Sequence, residues 1–131
     1  MLGKRKDLIS KAWEARGKAY APYSSFAVGA ALRAGDGRVF TGCNVENVSF
    51  GLTNCAERVA IGSAIAAGAR EFSLLAVVSD SDVPVVPCGA CRQVLAEFAP
   101  SLEIISATKA GATREWNLAQ LLPSPREGIL E

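Results

Sequence analysis

Four residues in two short stretches have types and spacing that could do chemistry together. LTNCAERVAIG, residues 52–62, carries Cys55 and Glu57; VPCGACRQVL, residues 86–95, carries Cys88 and Cys91. Cys88 and Cys91 form a Cys-x-x-Cys pair at the start of a helix predicted behind Pro87. Alone, that pair fits a redox dithiol, half of a structural zinc site, or two small buried residues. A helix N-terminus favours negative charge and so lowers a thiol pKa, which helps the metal and redox readings equally. Cys55 also falls at a predicted helix start.

Three thiolates make a good zinc ligand set, and zinc takes about four ligands in a tetrahedron. The chain contains no histidine. Its remaining cysteine, Cys43, reads as a buried strand residue rather than a fourth ligand. Three ligands leave one position for water, the catalytic arrangement. Glu57 then has two readings. It lies three residues after Asn54 and fits a capping-box-like turn. Beside an open zinc position, it fits a base that later returns its proton. Spacing does not decide between them, because helix positions two apart diverge.

The elements that must position these groups are legible in outline. Leu8, Ile9, Ala12, Trp13 and Arg16 have helical spacing, ending before Ala21-Pro22. A hairpin is predicted over Phe26–Arg33 and Arg38–Asn44, turning at GDG, followed by a polar loop over 45–53. Asn54 is expected to cap a helix reaching about Ala67 and ended by Gly68. LLAVVS, residues 74–79, reads as a strand covered on both faces. A helix over Cys88–Phe98, a strand in LEIISA, a fifth strand in TREW, and a short helix with Asn117 and Gln120 as its capping box complete the pattern. Strands alternating with helices predict one mixed sheet of about five strands with helices packed on it, in an α/β domain. No linker or repeat divides residues 1–131, which read as a single domain. The tail SPREGILE reads as loosely held or packed on a partner chain.

Composition bounds the partners. Half the residues are apolar, and 14 basic against 13 acidic residues give a formal net charge of +1. No nucleic-acid partner is favoured by that balance. The first residues contain no long apolar run, so neither a signal peptide nor a membrane partner is read, and the default compartment is cytoplasmic with reduced thiols. The helix after Cys55 is apolar or small nearly all round, which predicts burial against another subunit.

CAER at 55–58 and PCGAC at 87–91 resemble the signature of the zinc-dependent deaminases in its three-cysteine form. APYSSFAVGAAL, GCNVEN, CAER, PCGACRQVL and QLLP, in that order, resemble the small homotetrameric cytidine deaminases from about Ala21 to Pro123. The resemblance implies a three-layer cytidine-deaminase-like fold and Zn2+ held by Cys55, Cys88 and Cys91. It implies hydrolytic attack at C4 of cytidine or deoxycytidine by zinc-bound hydroxide, with Glu57 shuttling protons and ammonia leaving. It further implies Phe26 stacked on the base, Asn44 and Glu46 on the ribose 3′-hydroxyl, and the backbone at Ala56 on the base. Arg58 would contact a ligand sulfur, offsetting the net negative charge of zinc with three thiolates; Arg92 is a weaker candidate. The partners implied are a small-molecule nucleoside and three further copies of the chain, with active sites near the subunit interfaces.

Two departures stand out. Phe50 replaces a usual tyrosine, and Pro125 and Arg126 stand where the family has a phenylalanine. They keep open a same-chemistry deaminase with a shifted substrate, such as N4-modified or blasticidin-like aminopyrimidines. A non-catalytic zinc or redox module remains the reading from another class.

Overall fold

The structure is a computed structural model that describes residues 2–129. Helix α1, Leu2–Arg16, leads into a hairpin of β1, Val28–Ala34, and β2, Val39–Cys43. A short 3-10 turn at Phe50–Leu52 precedes α2, Ala56–Ala66. Then follow β3 (Phe72–Ser79), α3 (Gly89–Phe98), β4 (Glu103–Thr108), β5 (Thr113–Asn117) and the short α4 (Leu118–Leu121). The sheet order is β2-β1-β3-β4-β5. Only β3 and β4 run parallel, joined through α3; the other neighbours are antiparallel. The mixed five-stranded α/β sheet agrees with the sequence reading.

Strand β3 explains the layering. Its side chains alternate between two apolar cores: Leu75 and Val77 face one, and Leu74, Ala76 and Val78 the other. The first core takes Ala56, Ala60, Ile61 and Ala64 of α2 and Leu95 of α3. The second takes Leu8 and Ala12 of α1. Helices therefore cover both faces, which is why LLAVVS reads as a nearly continuous apolar run.

Two glycines let the helices approach the hairpin. A Cβ at Gly29 would lie 2.0 Å from the Ala12 carbonyl oxygen of α1, and one at Gly42 would lie 2.4 Å from the Ala56 carbonyl oxygen of α2. The second contact fixes where α2 begins, and with it Cys55 and Glu57.

The first helix ends at Arg16, before Ala21-Pro22 as read, but two boundaries differ from the sequence reading. β1 starts at Val28, leaving Phe26 in the preceding loop. Asn54 does not cap α2. Its backbone pairs with Val45, N to O at 2.9 Å in both directions, and Cys55 takes the N-cap position. Gln93 Nε2 donates to the Pro125 carbonyl at 3.0 Å, so the tail is tied to α3 within its own chain. Residues 130 and 131 of the tail lie outside the described residues. The Asn117–Gln120 capping box forms as read.

Candidate active site

Helices α2 and α3 present their N-termini to one point. Cys55 and Cys88 are the two N-caps, with extended backbone, and neither helix has a side-chain cap hydrogen bond. The positive end of each helix dipole therefore acts on the sulfurs themselves. Cys91 lies one turn into α3 and is fully buried. Cys55 Sγ is 4.0 Å from Cys88 Sγ, and Cys88 Sγ is 3.4 Å from Cys91 Sγ. All three sulfurs fall within 4.8 Å of one another. A zinc–sulfur tetrahedron has edges of about 3.8 Å, given bonds near 2.3 Å. The spacing fits a common metal ion.

Cys43 stands outside this group. It is also only half-buried, contrary to the sequence reading. It ends the edge strand β2, where it lines a surface cavity with Lys11, Glu14 and Lys18.

The protonation pattern supports a cation. Hydrogen bonding from the Cys91 thiol, aided by the Arg58 guanidinium, lowers the Cys55 pKa to about 5. Cys91 moves upward, because its proton is held toward the Cys55 sulfur and because it is buried. The protein alone thus favours a thiolate at Cys55 beside a protonated Cys91. Ionising all three in so small a space requires a positive ion among them. Arg58 Nη2 lies 3.5 Å from Cys55 Sγ and 3.3 Å from the Thr53 carbonyl, and the sulfur raises its own pKa further. Arg92 is engaged elsewhere, donating to the carbonyls of Pro87 at 2.8 Å and Leu121 at 3.3 Å.

Glu57 follows Cys55 by two residues and is 6% exposed. Burial pushes its carboxyl up to about 7, and negative charge on Cys55 adds to the rise. Its own N–H and the Cys91 thiol pull the other way. With Asn54 committed to the bridge with Val45, the capping-box reading of Glu57 falls away.

A cavity of about 360 Å³ opens beside the thiols, and Cys55, Ala56, Glu57 and Cys88 are among its lining residues. Phe26, Asn44, Glu46 and Ser24 line it as well. Phe26 is 40% exposed there rather than buried as a core aromatic. Asn44 is buried: Oδ1 accepts from Val28 N at 2.9 Å, and Nδ2 donates to Phe26 O at 2.7 Å. Glu46 Oε1 accepts from the backbone N–H groups of Tyr23 at 2.9 Å and Ser24 at 3.1 Å, and Oε2 accepts from the Ser24 hydroxyl. These bonds, the Ser24 hydroxyl first, lower the Glu46 pKa. Thus the eight candidate residues of the thiol cluster and the cavity lining come together, with Arg58 against Cys55. Phe50 lies in an adjoining cavity with Tyr23 and Thr53, and Arg126 is exposed in the tail. Sequence reasoning missed Ser24, Thr53, Val85 and Val86 as lining residues. They lie in turns and loops with no periodic pattern to read.

The fold and the thiol cluster together define a zinc-binding domain on a mixed α/β sheet. The chain belongs to the family described as the cytidine and deoxycytidylate deaminase zinc-binding region, whose model matches residues 3–107. It is 50% identical over 117 residues to the cytidine deaminase of Sporosarcina psychrophila, covering 88% of this chain and 86% of that one. It is 49% identical over 120 residues to the cytidine deaminase of Halalkalibacterium halodurans, covering 91% of each. The crystal structure of cytidine deaminase from Burkholderia pseudomallei matches with a TM-score of 0.88 and 54% identity, covering 91% of this chain and 96% of that one.

Proposed function

We propose that this chain hydrolyses cytidine and deoxycytidine to uridine and deoxyuridine, releasing ammonia. The observation that carries the reading is the buried Glu57 carboxyl beside three metal-spaced thiols, with Glu57, Cys55 and Cys88 lining a cavity of about 360 Å³. The sequence relatives named above are both cytidine deaminases, which supports the substrate.

Cys55, Cys88 and Cys91 would hold zinc, three thiolate donors of the type zinc prefers. Zinc bound there supplies a Lewis acid that makes water nucleophilic near neutral pH. Glu57 takes a proton from the attacking water, delivers one to N3 of the pyrimidine, and later serves the leaving amine. Its raised pKa suits a group that both accepts and returns a proton near neutral pH. Phe26 stacks on the base, and the backbone at Ala56 completes base recognition. Asn44 and Glu46 bind the ribose 3′-hydroxyl. The two hydrogen bonds that Asn44 makes to the backbone leave one N–H and one lone pair for the sugar. Arg58 offsets charge on the Cys55 sulfur.

The chain acts as a cytoplasmic homotetramer in pyrimidine salvage, with active sites near subunit interfaces. Val48, Phe50 and Leu52 are 76%, 78% and 66% exposed in one short segment beside the cavity, an apolar surface that association would cover. Among the described residues no helix is long and apolar enough to cross a membrane. Ammonia release from cytidine and deoxycytidine, measured with bound zinc quantified, tests the reading. Turnover confined to N4-modified or non-ribosyl cytosines would replace it with a shifted substrate.

A further inference from the structure

The Tyr23–Phe26 turn links two lining residues of the cavity, Phe26 and Glu46, through one side chain. Ser24 Oγ donates to Glu46 Oε2 and accepts from Phe26 N at 3.0 Å. Ser24 N also donates to Glu46 Oε1, at 3.1 Å. The next residue, Ser25, has φ of 59°, a left-handed conformation that costs a non-glycine residue energy and must be held by its surroundings. Among the described residues, Glu46 Oε1 already has two backbone donors, whereas Oε2 has the Ser24 hydroxyl alone. Oε2 is therefore the oxygen with capacity left for a ligand, and Ser24 sets its direction. Without that hydroxyl, Oε2 loses its partner, and the carboxylate is held through Oε1 alone, by the Tyr23 and Ser24 N–H groups. Phe26 N would lose its partner at the same time.

We infer that Ser24 is a positioning residue for substrate specificity: it aims Glu46 Oε2 at the sugar and ties that carboxylate to the backbone of Phe26. This rests on the reading of Glu46 as a sugar-binding residue. Ser24 itself need not touch the reacting atoms. Its loss acts on discrimination and KM rather than on the chemical step.

The test is steady-state kinetics of the zinc-loaded protein on cytidine and 3′-deoxycytidine, for the wild type, Ser24→Ala, Ser24→Thr, Glu46→Gln and the Ser24→Ala/Glu46→Gln double variant. The preference for cytidine, as a ratio of kcat/KM, should fall roughly tenfold in Ser24→Ala, the scale of one hydrogen bond to a charged group. KM for cytidine should carry the loss, with kcat within about threefold of wild type. Ser24→Thr should restore most of the preference. The double variant should be no less selective than Glu46→Gln alone, because both changes remove one interaction. An unchanged preference in Ser24→Ala, or losses that multiply in the double variant, overturns the inference. So does Ser24→Ala losing zinc or melting far earlier, since the hydroxyl would then hold the fold. A Glu46→Gln variant that keeps the full preference instead removes the sugar-binding role on which the inference depends.

Discussion

Arg58 Nη2 lies 3.5 Å from Cys55 Sγ, and the same nitrogen reaches the Thr53 carbonyl at 3.3 Å. One side chain thus ties a sulfur of the candidate metal site to the loop in front of α2. Arg58→Ala removes that positive charge from a site whose three thiolates outweigh a divalent ion. Zinc affinity should fall by about 10- to 100-fold, the usual effect of losing a group that supports a metal ligand. Competition with a chromogenic chelator measures it. Arg58→Lys should recover only part, because a lysine offers a point charge without the fork that spans sulfur and carbonyl. Unchanged affinity in Arg58→Ala would refute the electrostatic role.

Glu57 gives a pH dependence of stability whose sign can be worked out for the metal-free protein. Its folded pKa of about 7 lies above the ordinary 4.5. Between those values the unfolded chain has released the proton while the folded chain retains it, so stability falls as pH rises. The cost is absent below about pH 4.5 and complete above about pH 7. Glu57→Gln removes it. Urea denaturation of the metal-free proteins should show Glu57→Gln more stable by up to about 3 kcal/mol above pH 7, and the gap should close toward pH 4.5. A gap that widens on acidification would contradict the burial account.

Gly42 faces α2 so closely that an added Cβ would lie 2.4 Å from Ala56 O and 2.5 Å from Ala60 N. Both are backbone atoms, so relief requires moving the helix that begins at Cys55. Gly42→Ala should cost about 1–3 kcal/mol, as overpacking does, and should weaken zinc binding along with stability. Denaturation midpoints and chelator competition, run together, check the link. A stability loss with wild-type zinc affinity would show that α2 shifts without moving its N-terminus.

Asn44 uses both ends of its amide on the backbone between Phe26 and Val28. Asn44→Asp keeps the shape but turns the donor that meets Phe26 O at 2.7 Å into a second acceptor. The variant should lose roughly 1–3 kcal/mol of stability at neutral pH. Part of the loss should return in acid, where the carboxyl protonates and donates again. Thermal melts at pH 4 and pH 7 measure the recovery. A loss independent of pH would point to packing instead.

The clustering of the three candidate metal ligands was legible in the sequence because ligation demands particular residue types, and helix N-termini announce themselves through Pro87 and the apolar runs behind. The mixed sheet was legible because β3 is apolar on both faces. Asn54 was misread because capping preference is local, whereas its pairing with Val45 comes from the loop folding back on itself. Cys43 was misjudged because alternation gives a face but not how fully that face is covered, and β2 lies at the sheet edge. Asn44 and Glu46 looked like loop solvation or sugar contacts. Their bonds to the 23–28 backbone depend on tertiary proximity that no local pattern carries. The part of Ser24 is hidden for the same reason.

The most direct test is ammonia release from cytidine by zinc-loaded wild-type and Glu57→Gln proteins at equal, measured zinc content. The account predicts turnover by the wild type and a rate at least about 10²-fold lower in Glu57→Gln, the scale of a lost general acid–base group, with zinc retained in both. Equal rates at equal zinc would contradict it.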